Sequence, residues 1–107
     1  MTKQRDRYQV SLKALVTNEH GEVLALNAVQ SGSFAGYFDL PGGRIDVGEF
    51  TVPLTDILRR EIREELGDIA VEINEVPVAV GRHLIGAESE KSEGESIHVM
   101  YLFFEVR

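Results

Sequence analysis

Leu40-Pro41-Gly42-Gly43-Arg44-Ile45-Asp46-Val47-Gly48-Glu49, running on through Phe50 to Gly67 (FTVPLTDILRREIREELG), is the stretch that decides the fold. It opens as a glycine turn, passes through a short polar loop and continues into one helix. Pro53 suits the first helical position, where its missing N–H has no intrahelical partner to lose. Gly67 suits the position just past the end, where the chain often turns left-handed. Leu54, Leu58, Ile62 and Leu66 recur every four residues, and Ile57 widens the stripe, so one face of the helix is expected to be buried.

The charges of that helix run against its dipole. Glu61, Glu64 and Glu65 occupy the last two turns, where basic residues are preferred. Glu61 and Glu65 are also a like-charge pair at i, i+4, which weakens a helix by roughly 0.2–0.5 kcal/mol. The spacing projects all three carboxylates from one side of the cylinder. Spacing alone favours a solvated face, with Arg59, Arg60 and Arg63 neutralising the glutamates. The other reading is a metal site, because clustered oxygen ligands bind Mg²⁺ or Mn²⁺ and arrays that break local rules often mark function.

These residues resemble the Nudix box of the Nudix hydrolases, G-x5-E-x7-R-E-U-x-E-E-x-G-U, with U a bulky aliphatic residue. Gly43 takes the first glycine and Glu49 the first glutamate. Arg60, Glu61, Ile62, Glu64, Glu65 and Gly67 then fall in register. Leu40 to Gly43 is similar to the leader common in that family, and Phe38 lies where many members carry tryptophan. The chain departs from the pattern twice. Ten residues rather than seven separate Glu49 from Arg60, and Asp68 holds the final aliphatic position, with Ile69 one place late.

The whole chain narrows the classes further. Its 107 residues suit one domain. No apolar run is long enough for a membrane span, and no charged-then-apolar leader for secretion is expected. With no cysteine, disulfides and thiolate zinc sites are excluded, and a cytoplasmic setting is expected. A net charge of −7 without a basic run argues against a nucleic-acid polymer as partner. An acidic chain can still take a small phosphate compound if divalent cations bridge the two sets of negative charge.

Taken in order, Tyr8 to Thr17 reads as a strand, Asn18 to Gly21 as a turn, and Val23 to Val29 as the returning strand of a hairpin. His20 is expected in solvent. Gln30 to Gly36 is a loop and Tyr37 to Leu40 a short extended piece. After the helix, Ala70 to Ile73 and Val76 to Ile85 read as extended, with Pro77 near a strand start. Gly86 to Ser96 is an acidic loop. Ile97 to Val106 reads as a largely buried strand, antiparallel to 78–85 across that loop. His83 and His98 fall on these two strands as structural or surface residues rather than ligands.

The resemblance implies an α+β fold, a mixed β-sheet with the motif helix packed on it. The family's second helix follows the strand placed at 97–106, and the sequence stops at Arg107, so residues 1–107 are expected to form one domain without that helix. An uncovered sheet face would expose an apolar patch, and self-association as a homo-oligomer is the expected cover.

The resemblance also implies hydrolysis of a nucleoside diphosphate linked to another group, NDP-X, by water attack on phosphorus. Mg²⁺ or Mn²⁺ would be held by Glu64 and Glu65, by Glu61 as third ligand or as base, and by the Gly42 carbonyl. Arg60 would hold Glu61 in place, or simply pair with Glu64 one turn on. Glu49 would support the loop or the outer metal shell. Among the distal glutamates, Glu88, Glu90, Glu93 and Glu95 are candidates for a further base, each weaker than a plain acidic loop. The competing functions are a non-catalytic module of this fold that binds a nucleotide or sugar nucleotide, an isopentenyl-diphosphate isomerase, disfavoured by the missing cysteine, and a protein whose charged helix face does nothing chemical.

Overall fold

The computed structural model describes residues 3–27, 38–86 and 95–107. Strand β1, Gln9–Val16, is the axis of the molecule. It is bonded on one edge to β6, Ile97–Val106, and on the other to β4, Gly42–Arg44. The first pairing is parallel, Gln9 opposite Val99 through to Val16 opposite Val106; the second is antiparallel, Ser11 opposite Arg44 and Lys13 opposite Gly42. A parallel neighbour requires a long crossover, and the crossover carries the helix α1, Leu54–Leu66. Strand β5, Ala79–Ile85, completes the sheet, antiparallel to β6 with Ile85 opposite Ile97, in the order β4-β1-β6-β5. A second ladder joins β2, Leu26–Asn27, to β3, Phe38–Asp39.

The helix forms where the sequence predicts. Pro53 caps it one residue before the first turn, its carbonyl accepting from the N–H groups of Asp56 and Ile57. Gly67 ends it at φ 88°, a left-handed angle that a side chain resists, and its N–H donates to the Arg63 carbonyl. The buried stripe is narrower than the four-residue repeat suggests. Ile57, Leu58 and Ile62 are buried, whereas Leu54 is exposed and Leu66 only partly covered. A period of 3.6 carries every fourth residue steadily off the contact line. Against the helix lie Leu12 and Ala14 of β1 and Phe104 and Val106 of β6, alternate residues of two strands in register, which close the core.

Three expectations need correction. The hairpin after β1 is short: beyond the turn, the strand contacts are the Thr17–Val23 bridge and the bond from Leu24 N–H to the Val16 carbonyl. Both edges of β1 are already taken by β4 and β6, so residues from Leu26 pair with β3 instead; Ala28 and Val29 lie outside the described residues, as do the 30–36 loop and Tyr37. The β6 strand is only partly buried, with His98 and Glu105 exposed, and β5 on its flank is covered by nothing described. Within the four-stranded sheet, the apolar exposure therefore falls on an edge strand. Val80 stands in register with Leu102 and Leu12, on the side of the sheet that carries α1, yet Val80 and Leu84 remain exposed, with Val76 and Val78 just before them.

The segment after the helix is extended as expected. Glu72 and Arg107 exchange backbone hydrogen bonds of 2.8 and 2.9 Å, and Ile73 bridges Val106. His98 takes the surface role, its Nδ1 2.9 Å from an Asp6 carboxylate oxygen. Truncating the buried stripe by Leu58→Ala or Ile62→Ala should cost about 2–5 kcal/mol. Leu54→Ala should cost under about 1 kcal/mol, as befits an exposed position. Urea denaturation of the three variants measures this, and equal midpoints would contradict the packing.

Candidate functional site

The glycine turn is wedged between β1 and α1. Gly42 has φ +145°, and a Cβ there would land on the Leu12 carbonyl oxygen. Gly43 is bare for a different reason, since a Cβ would lie 2.7 Å from the Glu61 carboxyl carbon. One glycine thus lets two backbones touch, and its neighbour makes room for a functional group. Between them they bring the helix carboxylates against the sheet edge. Gly42 N–H donates to Glu65 Oε1 at 3.3 Å.

Arg60 gathers the other acids. Its Nη2 lies 2.9 Å from Glu49 Oε2 and 3.4 Å from Glu61 Oε1, and its Nη1 lies 3.3 Å from Glu64 Oε1. Burial works against that charge, but the attraction of Glu49, Glu61 and Glu64 outweighs it and raises the guanidinium's pKa. The second oxygen of Glu49 accepts from Asp46 N–H at 2.8 Å, which fastens the loop to the helix at one point. Beyond that point the chain swings outward, leaving Phe50 97 % exposed.

Beside these carboxylates the other face of the sheet opens into a cleft of about 690 Å³, a size that suits a small ligand. Glu61 and Asp46 stand on its acidic wall, and Lys13, Arg44 and Tyr101 line it from the sheet. Arg44 is held by Gln9 Oε1 at 2.6 Å, and Lys13 Nζ lies 3.1 Å from Asp39 Oδ2. Burial, with the Asp39 charge added, raises the Tyr101 pKa, so its hydroxyl stays neutral at physiological pH.

The NUDIX domain family profile matches residues 7–107. This chain belongs to the NUDIX domain family. Among curated relatives it is 33 % identical over 91 residues to the nucleoside triphosphatase NudI of Escherichia fergusonii, covering 85 % of this chain and 62 % of the relative. It is 31 % identical to NudI of Escherichia coli O1:K1 over the same shares. The chain therefore spans somewhat under two thirds of the length of these relatives. Among solved folds, the E. coli ORF135 protein superposes with a TM-score of 0.59 at 21 % identity, over 92 % of this chain and 64 % of that one. The MutT protein of Methanosarcina mazei Go1 gives 0.57 at 25 % identity, over 96 % and 65 %. The mixed sheet with its single described helix is the fold of these Nudix neighbours.

The Nudix motif residues are brought together in part. Glu61 and Glu65 reach the glycine turn, and Glu49 meets Arg60 in spite of the three extra residues between them. Glu64 stays at the surface on Arg60. Gly42 meets Glu65 through its N–H, where the sequence reading gave it a carbonyl role. Among the described residues, no three histidine or acidic side chains stand together as a ready cation site. Of the distal candidates, Glu95 is exposed, and Glu88, Glu90 and Glu93 lie outside the described residues. Sequence reasoning missed Lys13, Asp39, Arg44 and Tyr101. Lys13 alone left a signal, a lysine set between Leu12 and Ala14 in a strand run.

Burial, then the charges of Glu64, Asp46 and Glu49, pushes the Glu61 pKa up against the pull of Arg60. Burial also raises Glu65, helped by Glu61 and Asp39 and opposed by the Gly42 N–H and Lys13. An acid whose folded pKa is raised binds its proton more tightly when folded, so its contribution to stability is present at acid pH and is lost as pH rises through the folded pKa. In cation-free protein, Glu61→Gln and Glu65→Gln should therefore melt at or above the wild-type temperature at neutral pH. That gain should vanish as pH falls below the ordinary carboxylate value. Thermal melts across this range decide it, and a lower neutral-pH melting temperature in both variants would contradict it.

Proposed function

We propose that this chain carries a divalent-cation-dependent pyrophosphohydrolase site acting on nucleoside diphosphates linked to another group, NDP-X. The observation that supports this best is the meeting of Glu61 and Glu65 with the glycine turn at a cleft lined by Lys13 and Arg44. The relatives named as nucleoside triphosphatases agree with it, because a nucleoside triphosphate is an NDP-X whose X is phosphate.

The residues present fit Mg²⁺ or Mn²⁺. Their donors are all hard oxygens, and Glu61 and Glu65 both lie against the glycine turn. Glu61, Glu64, Glu65 and the Gly42 carbonyl would hold the ion. When bound, it neutralises phosphate oxygens and lowers the pKa of water. Arg60 keeps Glu61 at the mouth of the cleft, where it serves as ligand or as the base that takes the proton of the attacking water. Glu49 anchors the loop through Arg60. Arg44 supplies positive charge on the sheet side, where an anionic ligand needs it.

The test is phosphate release from a panel of nucleoside triphosphates, sugar nucleotides and dinucleoside polyphosphates, with Mg²⁺ or Mn²⁺. Glu61→Gln and Glu65→Gln should each lower turnover by at least the ~10–100-fold that follows loss of supporting groups at metal sites. The second reading, a module that binds a nucleotide without cleaving it, is favoured by the separate placement of the three carboxylates. Tight nucleotide binding with no turnover by wild type would establish it.

We also read residues 1–107 as one domain working on a small molecule in the cytoplasm, with no nucleic-acid polymer and no membrane as partner. No helix among the described residues is long and apolar enough to cross a membrane. The exposed Val80 and Leu84 on β5, beside the edge of that strand left unpaired among the described residues, suit pairing with a second copy. Light scattering should give a dimer mass, lost on Val80→Lys; a monomer in both proteins would remove the homo-oligomer.

A further inference from the structure

Among the described residues, Lys13 is the only buried charged side chain. Leu12 and Ala14 on either side of it face α1, so Lys13 points to the opposite face of the sheet and the floor of the cleft. A buried ammonium is costly unless it is paired. Its partner is Asp39, Nζ to Oδ2 at 3.1 Å, with the Tyr101 ring centre 5.9 Å from the same nitrogen. The other Asp39 oxygen accepts from Leu40 N–H at 2.8 Å. Asp39 belongs to β3, which pairs with β2 and not with the four-stranded sheet. The ion pair is therefore a tie between the two ladders. It is placed immediately before the glycine turn, alongside the 2.8 Å bond from Ala14 N–H to the Pro41 carbonyl.

We propose that the Lys13–Asp39 ion pair is a positioning device, clamping the entry of the glycine turn to β1 so that Gly42 N–H meets Glu65 and bare Gly43 lies against Glu61. The inference rests on the reading of those glutamates as the working carboxylates. Neither Lys13 nor Asp39 need touch the reacting atoms. The register explains how the clamp acts: Lys13 stands opposite Gly42 in the β1–β4 ladder, so the ion pair and the Ala14–Pro41 bond together fix the two residues that lead into the glycine whose N–H holds Glu65.

Charge and position give opposite signs in one variant, which makes the inference testable. Lys13→Met removes a positive charge near Glu65. Acting through charge alone, that tightens binding of a cation; acting through position, it weakens it. With Mn²⁺ alone as probe, calorimetry on Lys13→Met should show about tenfold weaker binding. Hydrogen exchange at the Gly42 amide should be faster, and kcat should fall with KM little changed. Asp39→Asn should give the same kcat loss, and the double variant should be no worse than either single one. Lys13→Arg, which keeps charge and reach, should recover most of the loss, and with Asp39→Asn it supplies folded protein even if Lys13→Met melts.

Unchanged exchange at Gly42, or tighter Mn²⁺ binding with kcat intact, would overturn the clamp. A rise in KM at constant kcat would overturn it too, by assigning Lys13 to direct substrate contact. A wild type without turnover defeats the hydrolase reading instead, and Gly42 exchange still decides whether the clamp exists.

Discussion

Along Gly42 and Gly43 the chain runs through a gap that admits no side chain. The Leu12 carbonyl bounds it on one side and the Glu61 carboxyl on the other. Much of the site depends on that approach. It lets β4 lie against β1 and brings the last two turns of α1 close enough for Glu65 to take a backbone N–H. The Glu61 carboxylate is in turn held partly out of water at the edge of the cleft. A methyl group at Gly42 would press on backbone, which cannot swing away, whereas one at Gly43 would press on the mobile end of a side chain. The two glycines are therefore constrained with different severity.

Arg60 has an unusual task for a surface arginine. An exposed ion pair contributes little, in the range of about 0–1 kcal/mol, so its three contacts to Glu49, Glu61 and Glu64 matter less for stability than for arrangement. A single planar cation with several N–H donors can face loop and helix carboxylates at once. The helix thereby tolerates glutamates where its dipole disfavours them, and Glu61 and Glu65, the two whose pKa burial raises, are the two that lie against the glycine turn.

The helix, its ends, the β6 strand and its antiparallel partner were legible in the sequence, because each is fixed by local pattern: apolar spacing, Pro53, Gly67 and a long β-prone run. The pairing of β1 with β6 was not, since a parallel contact between residues some ninety positions apart leaves no local trace. The carboxylates of the site could be read by type and spacing, and Glu49 found Arg60 across the longer loop. Where the acids would point was not readable. The rotamer of Glu64 is set by Arg60, and that of Glu65 by a glycine N–H 23 positions away in sequence. The sheet side of the cleft was missed for the same reason: Asp39, Arg44 and Tyr101 become neighbours only when three strands align.

The bond between Glu49 and Arg60 also bears on how this motif varies. It pins the loop on both sides, so residues added between them are free to billow into water, as Phe50 does. Length variants should accumulate there in related chains without disturbing the helix, and a search that insists on a fixed count between glutamate and arginine would pass over copies of the same architecture.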